Sequence, residues 1–173
     1  TEDLKSINTG NLYFVPSPSS ALLGDSVSIA GKDSVQFAMR IYPGSDSTGA
    51  GSKYIEYVYT LKKNEYMIGY QVRLVGLGNT IARNTRDIAI AWSTDMLRQE
   101  KSFKTELSQA TIYYMDNTGE VDNLKETKDS KERITSAVKW VSYKTQFFSA
   151  SFIANDAFSS ADIETLSFKE NSE

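Results

Sequence analysis

Hydrophobic and polar residues alternate along much of this chain with a period of two. From Ser34 to Tyr42, Val35, Phe37, Met39 and Ile41 fall on one face, with Gln36, Ala38 and Arg40 on the other. That pattern predicts a half-buried strand. KYIEYVYTLKKNEYMIGYQVRLV predicts two more, about Tyr54 to Leu61 and Tyr66 to Val75, joined by the short polar turn Lys62-Lys63-Asn64-Glu65. Ile88, Ile90 and Trp92 alternate in DIAIAWS, and ATIYYM predicts a strand over Ala110 to Met115. The polar stretch Met96 to Gln109 predicts a helix around Arg98 to Leu107. Asp116 to Glu132, charged and poor in apolar residues, reads as a long surface excursion. A last short run covers about Ile163 to Phe168.

One stretch needs arbitration. VKWVSYKTQFFSASFIAND, Val138 to Asp156, holds one of two tryptophans and three of eight phenylalanines but only three charged residues. Its longest candidate, FFSASFIA, is broken by two serines and falls far short of the ~20 apolar residues that span a bilayer. On helical spacing, Trp140, Val141, Phe147, Phe148 and Phe152 share a face. On strand spacing, Val141, Tyr143, Phe147 and Ile153 line one face, and Val138, Trp140, Phe148 and Phe152 the other. β-branched and aromatic enrichment favours the strand. Apolar residues on both faces make it a central strand, bent near Lys144 to Gln146. Trp140→Ala or Phe148→Ala would then each cost about 3–5 kcal/mol through a lost core contact. Successive strands, turn signals and few helices predict an all-β fold, an antiparallel β-sandwich, over residues 1–173 as one domain.

Composition narrows the chemistry. The 173 residues suffice for one domain that buries about 70% of its unfolded surface, and 40% hydrophobic with 24% charged residues is globular. A net charge of −3 without a basic cluster argues against a nucleic-acid surface. There is no cysteine, which removes disulfides, thiolate nucleophiles and Cys-ligated zinc. There is no histidine either, so a Ser-His-Asp triad is impossible and the commonest general base is missing. No signal peptide or membrane-spanning segment stands out, so the chain as given is expected to be soluble. It opens at Thr1 without a methionine, as a fragment of a longer protein would.

The motifs that remain have plainer readings. In GSDSTGAGSK, Gly44 and Gly49 have phosphate-loop separation, but Ala50 stands where the lysine belongs and a strand follows where a helix should. DNTGEVD, Asp116 to Asp122, misses the EF-hand spacing. Glu56, Asp87 and Asp95 lie near predicted strands, but nothing marks a catalytic pair among them. Tyr54, Tyr57, Tyr59, Tyr66 and Tyr70 could stack on sugars or hold a partner protein. Tyr57 and Tyr59 share a face with Ile55 and Leu61, however, as cross-strand packing requires. No residue is nominated as catalytic, cofactor-binding or metal-ligating.

WVSYKTQFFSASFIAND, Trp140 to Asp156, resembles the signature near the end of the large periplasmic domain of the YidC membrane insertases. There a Trp-Val pair precedes a Gln-aromatic-Phe step, here Trp140-Val141 and Gln146-Phe147-Phe148. YIEYVYTLKKNEYMIGYQVRL, Tyr54 to Leu74, is similar to that family's strand pair. NLYFVPS, Asn11 to Ser17, and ATIYYM look like its Bacteroidetes branch. The resemblance covers about residues 8 to 168. It implies a β-supersandwich related to galactose mutarotase, of which this chain is an incomplete portion, on the periplasmic side of the bacterial inner membrane. It also implies a non-catalytic interaction role without a cofactor, in a membrane-anchored protein that inserts and helps fold inner-membrane proteins, alone or with the Sec translocon. Implied partners are Sec components and nascent inner-membrane proteins. A carbohydrate-binding or carbohydrate-processing sandwich is the alternative that the shared fold raises, and mutarotase-type chemistry would need the histidine this chain lacks.

Overall fold

The computed structural model describes residues 8–18, 20, 26–42, 53–78, 81, 85 and 87–166. It is nearly all β and antiparallel, with two compact units, Thr1–Ile90 and Ala91–Glu173.

The first unit holds β1 (Val15–Pro16), β2 (Ser34–Ile41), β3 (Tyr54–Lys62) and β4 (Ile68–Val75), paired in that order as one antiparallel sheet. The alternation seen in the sequence is the register itself. Phe37 stands opposite Tyr59 and Tyr59 opposite Tyr70, with ring centroids 4.7 and 5.3 Å apart. Ile41, Ile55 and Leu77 form the buried cluster, with Phe14, Tyr57, Val72 and Ile81 packed around it. Leu77 reaches the cluster because Gly76 takes φ 67°, a left-handed value that a side chain would resist. The β3–β4 turn is longer than expected: Asn64 adopts φ 60°, Glu65 N donates to Lys62 O, and β4 starts at Ile68, leaving Tyr66 and Met67 exposed. The strand β2 is not simply half-buried. Ala38, expected on the polar face, is buried opposite buried Val58, and Ser20 Oγ bonds both backbone groups of Ala38 at 2.7 and 2.8 Å.

The second unit begins with α1 (Phe103–Leu107), followed by β5 (Thr111–Asp116), β6 (Val121–Asn123), β7 (Ser130–Ile134), β8 (Val138–Lys144), β9 (Ser149–Phe158) and β10 (Ala161–Thr165). The helix is half the expected length. Ser102 caps it by accepting from Thr105 N. The buried Glu106 carboxylate turns back to accept from Gln99 N and Glu100 N, so the preceding residues serve as its ligands and not as a helical turn. The strands form a four-stranded sheet, β6-β5-β8-β9, and a two-stranded sheet, β10-β7. Ile112 and Tyr114 of β5, Val138 of β8, Leu124, Ile134 of β7 and Ile163 of β10 make one core between them. The unit is thus a small two-layer sandwich.

Three expectations change here. Asp116 to Glu132 is not an excursion, since it carries β6 and most of β7. Of its two apolar residues Val121 is exposed and Leu124 is buried, and β7 shows its charges to solvent, with Lys131 3.3 Å from Glu164 and Arg133 3.9 Å from Asp162 across the pair. Val138 to Ala154 is not one bent strand but the hairpin β8–β9, closed by Thr145 N donating to Phe148 O at 2.8 Å. β8 is central, as expected, between β5 and β9. A register shift between Val138 and Trp140 separates them, so Val138 enters the core, whereas Trp140 turns to the other side of the sheet with Ser142. Phe148, 66% exposed, belongs to the turn and not to the core. Finally, Ile88, Ile90 and Trp92 form no strand among the described residues. Alternation says which side chains point alike, not that a partner strand exists. Trp92 instead packs edge-on against Tyr143 at 4.5 Å, whose hydroxyl donates to Trp92 O at 2.6 Å. The GSDSTGAGSK loop, apart from Lys53, lies outside the described residues.

Tyr114 offers a pH test of the second core. Burial first, then a hydrogen bond to Glu132 and that carboxylate's charge, push its phenol up to about 12. An unfolded tyrosine ionises at about 10, so on raising the pH the unfolded chain loses its proton first. This group leaves stability unchanged below the unfolded value and removes it between there and about 12. The melting temperature is expected to fall more steeply across that window in the native chain than in Tyr114→Phe; parallel curves would refute the shift.

Candidate functional site

The outer face of the four-stranded sheet carries a shallow depression of about 300 Å³. It is built by three paired strands. Tyr113 comes from β5, Trp140, Ser142 and Lys144 from β8, and Ser149, Ser151 and Ile153 from β9. Period-two alternation dictates the set, because these residues alternate with the core-facing Ile112, Tyr114, Val141 and Tyr143. Trp140 stands opposite Ile153 and makes an apolar wall. On the floor, Ser151 Oγ donates to Ser142 Oγ at 2.8 Å. At the far end the Lys144 ammonium lies 5.9 Å from the centre of the Tyr113 ring, within cation–π range. The Ser151 proton is engaged by Ser142, and the chain has no imidazole to serve as a base. The arrangement offers contact: apolar surface, one hydroxyl pair and one cation. Sequence reasoning missed this set because it read β8 and β9 as one strand. The signal was there in the alternation of KWVSYK and SASFI, once a turn is placed at TQFF.

The residues weighed from sequence lie elsewhere. Glu56 is buried on β3 between two arginines, its Oε1 2.7 Å from Arg40 Nε and its Oε2 3.3 Å from Arg73 Nη1. Burial works against the Arg40 charge, but hydrogen bonds to Glu56 and Tyr42 outweigh it and raise its pKa. Arg40 also stacks 4.1 Å over Tyr54. Glu56 is therefore a committed ion-pair partner, whereas Asp87 and Asp95 are exposed. Tyr57, Tyr59 and Tyr70 pack on one another and on Phe14 and Phe37. Burial, reinforced by Tyr57 and Tyr59, raises the Tyr70 pKa. Tyr66 is fully exposed. In DNTGEVD, Asp116 Oδ1 accepts from Thr118 N, Thr118 Oγ1 and Glu120 N, at 2.7–3.0 Å, and Gly119 takes φ 92°. Hydrogen bonding, led by Thr118, lowers the Asp116 pKa. This acid builds the hairpin turn between β5 and β6.

The sequence model of the YidC periplasmic domain matches residues 24–171. The chain belongs to the YidC periplasmic domain family. Membership places it on the periplasmic side of the bacterial inner membrane. Proteins named membrane protein insertase YidC are similar over most of it: 30% identical across 95% of the chain in Parabacteroides distasonis, 30% across 70% in Bacteroides fragilis, and 28% across 90% in Chloroherpeton thalassium. The chain spans only 20–25% of these relatives' length. No solved structure matches the chain significantly, so the kinship with galactose mutarotase implied by the resemblance gains nothing from that side. Among the described residues no helix is long and apolar enough to cross a membrane.

Proposed function

We propose that this YidC periplasmic domain is the accessory, non-catalytic part of a membrane protein insertase. In this reading residues 1–173 work as one portion of the periplasmic domain, a contact surface for the proteins being inserted and for components of the Sec translocon. The family match over residues 24–171 carries the reading. The printed names of the relatives support it, and the chemistry of the outer sheet face, suited to contact, agrees with it. The carbohydrate-binding alternative has no support among these relatives.

A domain exchange tests the reading. In the Parabacteroides distasonis insertase, removing the segment matched by this chain is expected to impair insertion of membrane proteins, read by protease protection in depleted cells. Substituting this chain for that segment is expected to restore insertion. A folded, membrane-integrated exchange that performs no better than the deletion overturns the proposal.

A further inference from the structure

The sheet edges among the described residues are not alike. In the first unit β1 is two residues long and contains Pro16, and β4 carries Arg73. In the second, β6 has three residues, one of them Asp122, while β7 and β10 carry Lys131, Glu132, Arg133, Asp162 and Glu164. Shortness, proline and charge are the devices that keep open edges from recruiting further strands. β9 has none of these along most of its length. Its ten residues, SASFIANDAF, contain one charge, Asp156, and no lysine, arginine or proline.

The register shows which groups are open. Thr145 and Phe148 form a hydrogen-bonded pair at the turn, and such pairs alternate along an antiparallel ladder. Ala150 and Phe152 therefore bond through their backbones to Tyr143 and Val141, their partners on β8. The N–H and C=O groups of Ser149, Ser151 and Ile153 point away from β8, where the described residues place no strand. The side chains of these three residues line the outer-face depression. Phe147 and Phe148 stand 67% and 66% exposed beside the same end of β9.

We infer that the β9 edge takes up an extended, uncharged apolar segment of another polypeptide as an added strand. Only an extended chain can satisfy a row of alternating donors and acceptors. A second copy is the weaker occupant: β9 against β9 buries a single strand edge, well below the roughly 1,200–2,000 Å² of stable interfaces. A transient peptide needs no such area. Its charge is set by the surroundings, since along Ser149–Ile153 the added strand would lie beside the side chains of Ser149, Ala150, Ser151, Phe152 and Ile153, none of them charged. An unfolded stretch of a membrane protein has this chemistry; that source, though not the edge itself, rests on the insertase reading.

The test uses the whole chain, isotopically labelled for amide NMR. The probe is a synthetic peptide of alternating valine and threonine with terminal lysines for solubility. Its control carries backbone N-methyl groups on alternate residues, which removes edge hydrogen bonding and keeps the side chains. Shifts are expected at Ser149, Ser151 and Ile153, with the N-methylated peptide at least about tenfold weaker, since several main-chain hydrogen bonds are lost. Ser151→Pro removes one outward N–H and no backbone bond to β8; against Ser151→Ala, which controls for the lost hydroxyl and its bond to Ser142, it is expected to weaken binding at a melting temperature matching that of the alanine variant. Shifts centred elsewhere, equal binding of the N-methylated peptide, or concentration-dependent self-pairing at β9 without peptide each overturn the inference. The insertase reading stands or falls separately, on the domain exchange.

Discussion

Replacing Ile112 by alanine is expected to destabilise the second unit by about 3–4 kcal/mol, whereas Phe148→Ala is expected to cost less than about 1 kcal/mol. Ile112 is 1% exposed, at the centre of a core drawn from both layers of the small sandwich. Removing its branched side chain loses transfer free energy and leaves a cavity that neighbours on hydrogen-bonded strands collapse into only partly. Phe148 sits in the β8–β9 turn, mostly in water before and after substitution. Denaturant midpoints for the two variants decide the matter. A large loss from Phe148→Ala with a small one from Ile112→Ala would restore Val138 to Asp156 as a single buried strand and undo the hairpin.

Glu56→Ala carries the next largest expected effect, about 3 kcal/mol, because it leaves a partly buried arginine without its counter-charge. The Glu56 side chain is 6% exposed and bonds Arg40 and Arg73 on the strands to either side. Arg73, about half exposed, can turn to water, so most of the cost falls on Arg40, 19% exposed and pinned over Tyr54. Glu56→Gln keeps the shape and part of the hydrogen bonding and is expected to cost about 1–2 kcal/mol. The double replacement of Arg40 and Glu56 by leucine is expected to recover much of the loss, since the unpaired charge and not the missing pair is what destabilises. A double variant as unstable as the sum of its parts would show that these side chains act independently, which the 2.7 Å contact does not allow.

These two residues mark how far the sequence could be read. Ile112 lies in ATIYYM, a short β-rich run whose strand is legible from composition and alternation. Glu56 stands in the alternating run YIEYVYTL, so its strand was legible too, but its burial was not. A carboxylate on a polar face reads as solvated until Arg40 and Arg73 are brought alongside from β2 and β4. The candidate site was less legible still. Its seven residues come from three strands, and reading a bend where TQFF makes a turn hid the pairing of Ser142 with Ser151 and of Trp140 with Ile153.

By itself the sequence determined the all-β class, the strands β2, β3 and β4 with the hairpin joining the last two, and the exclusion of histidine and cysteine chemistry. These follow from local quantities: side-chain period, turn residues and composition. Tertiary structure decided that Val138 to Asp156 folds back on itself and that charged β6 and β7 are strands. It also decided that Ile88 to Trp92 is not one, and that among the described residues no strand pairs with the outer edge of β9. Each of these depends on which segment lies alongside, a contact between residues distant in the chain. A period of two records only that a segment is extended, and carries no information about its neighbour.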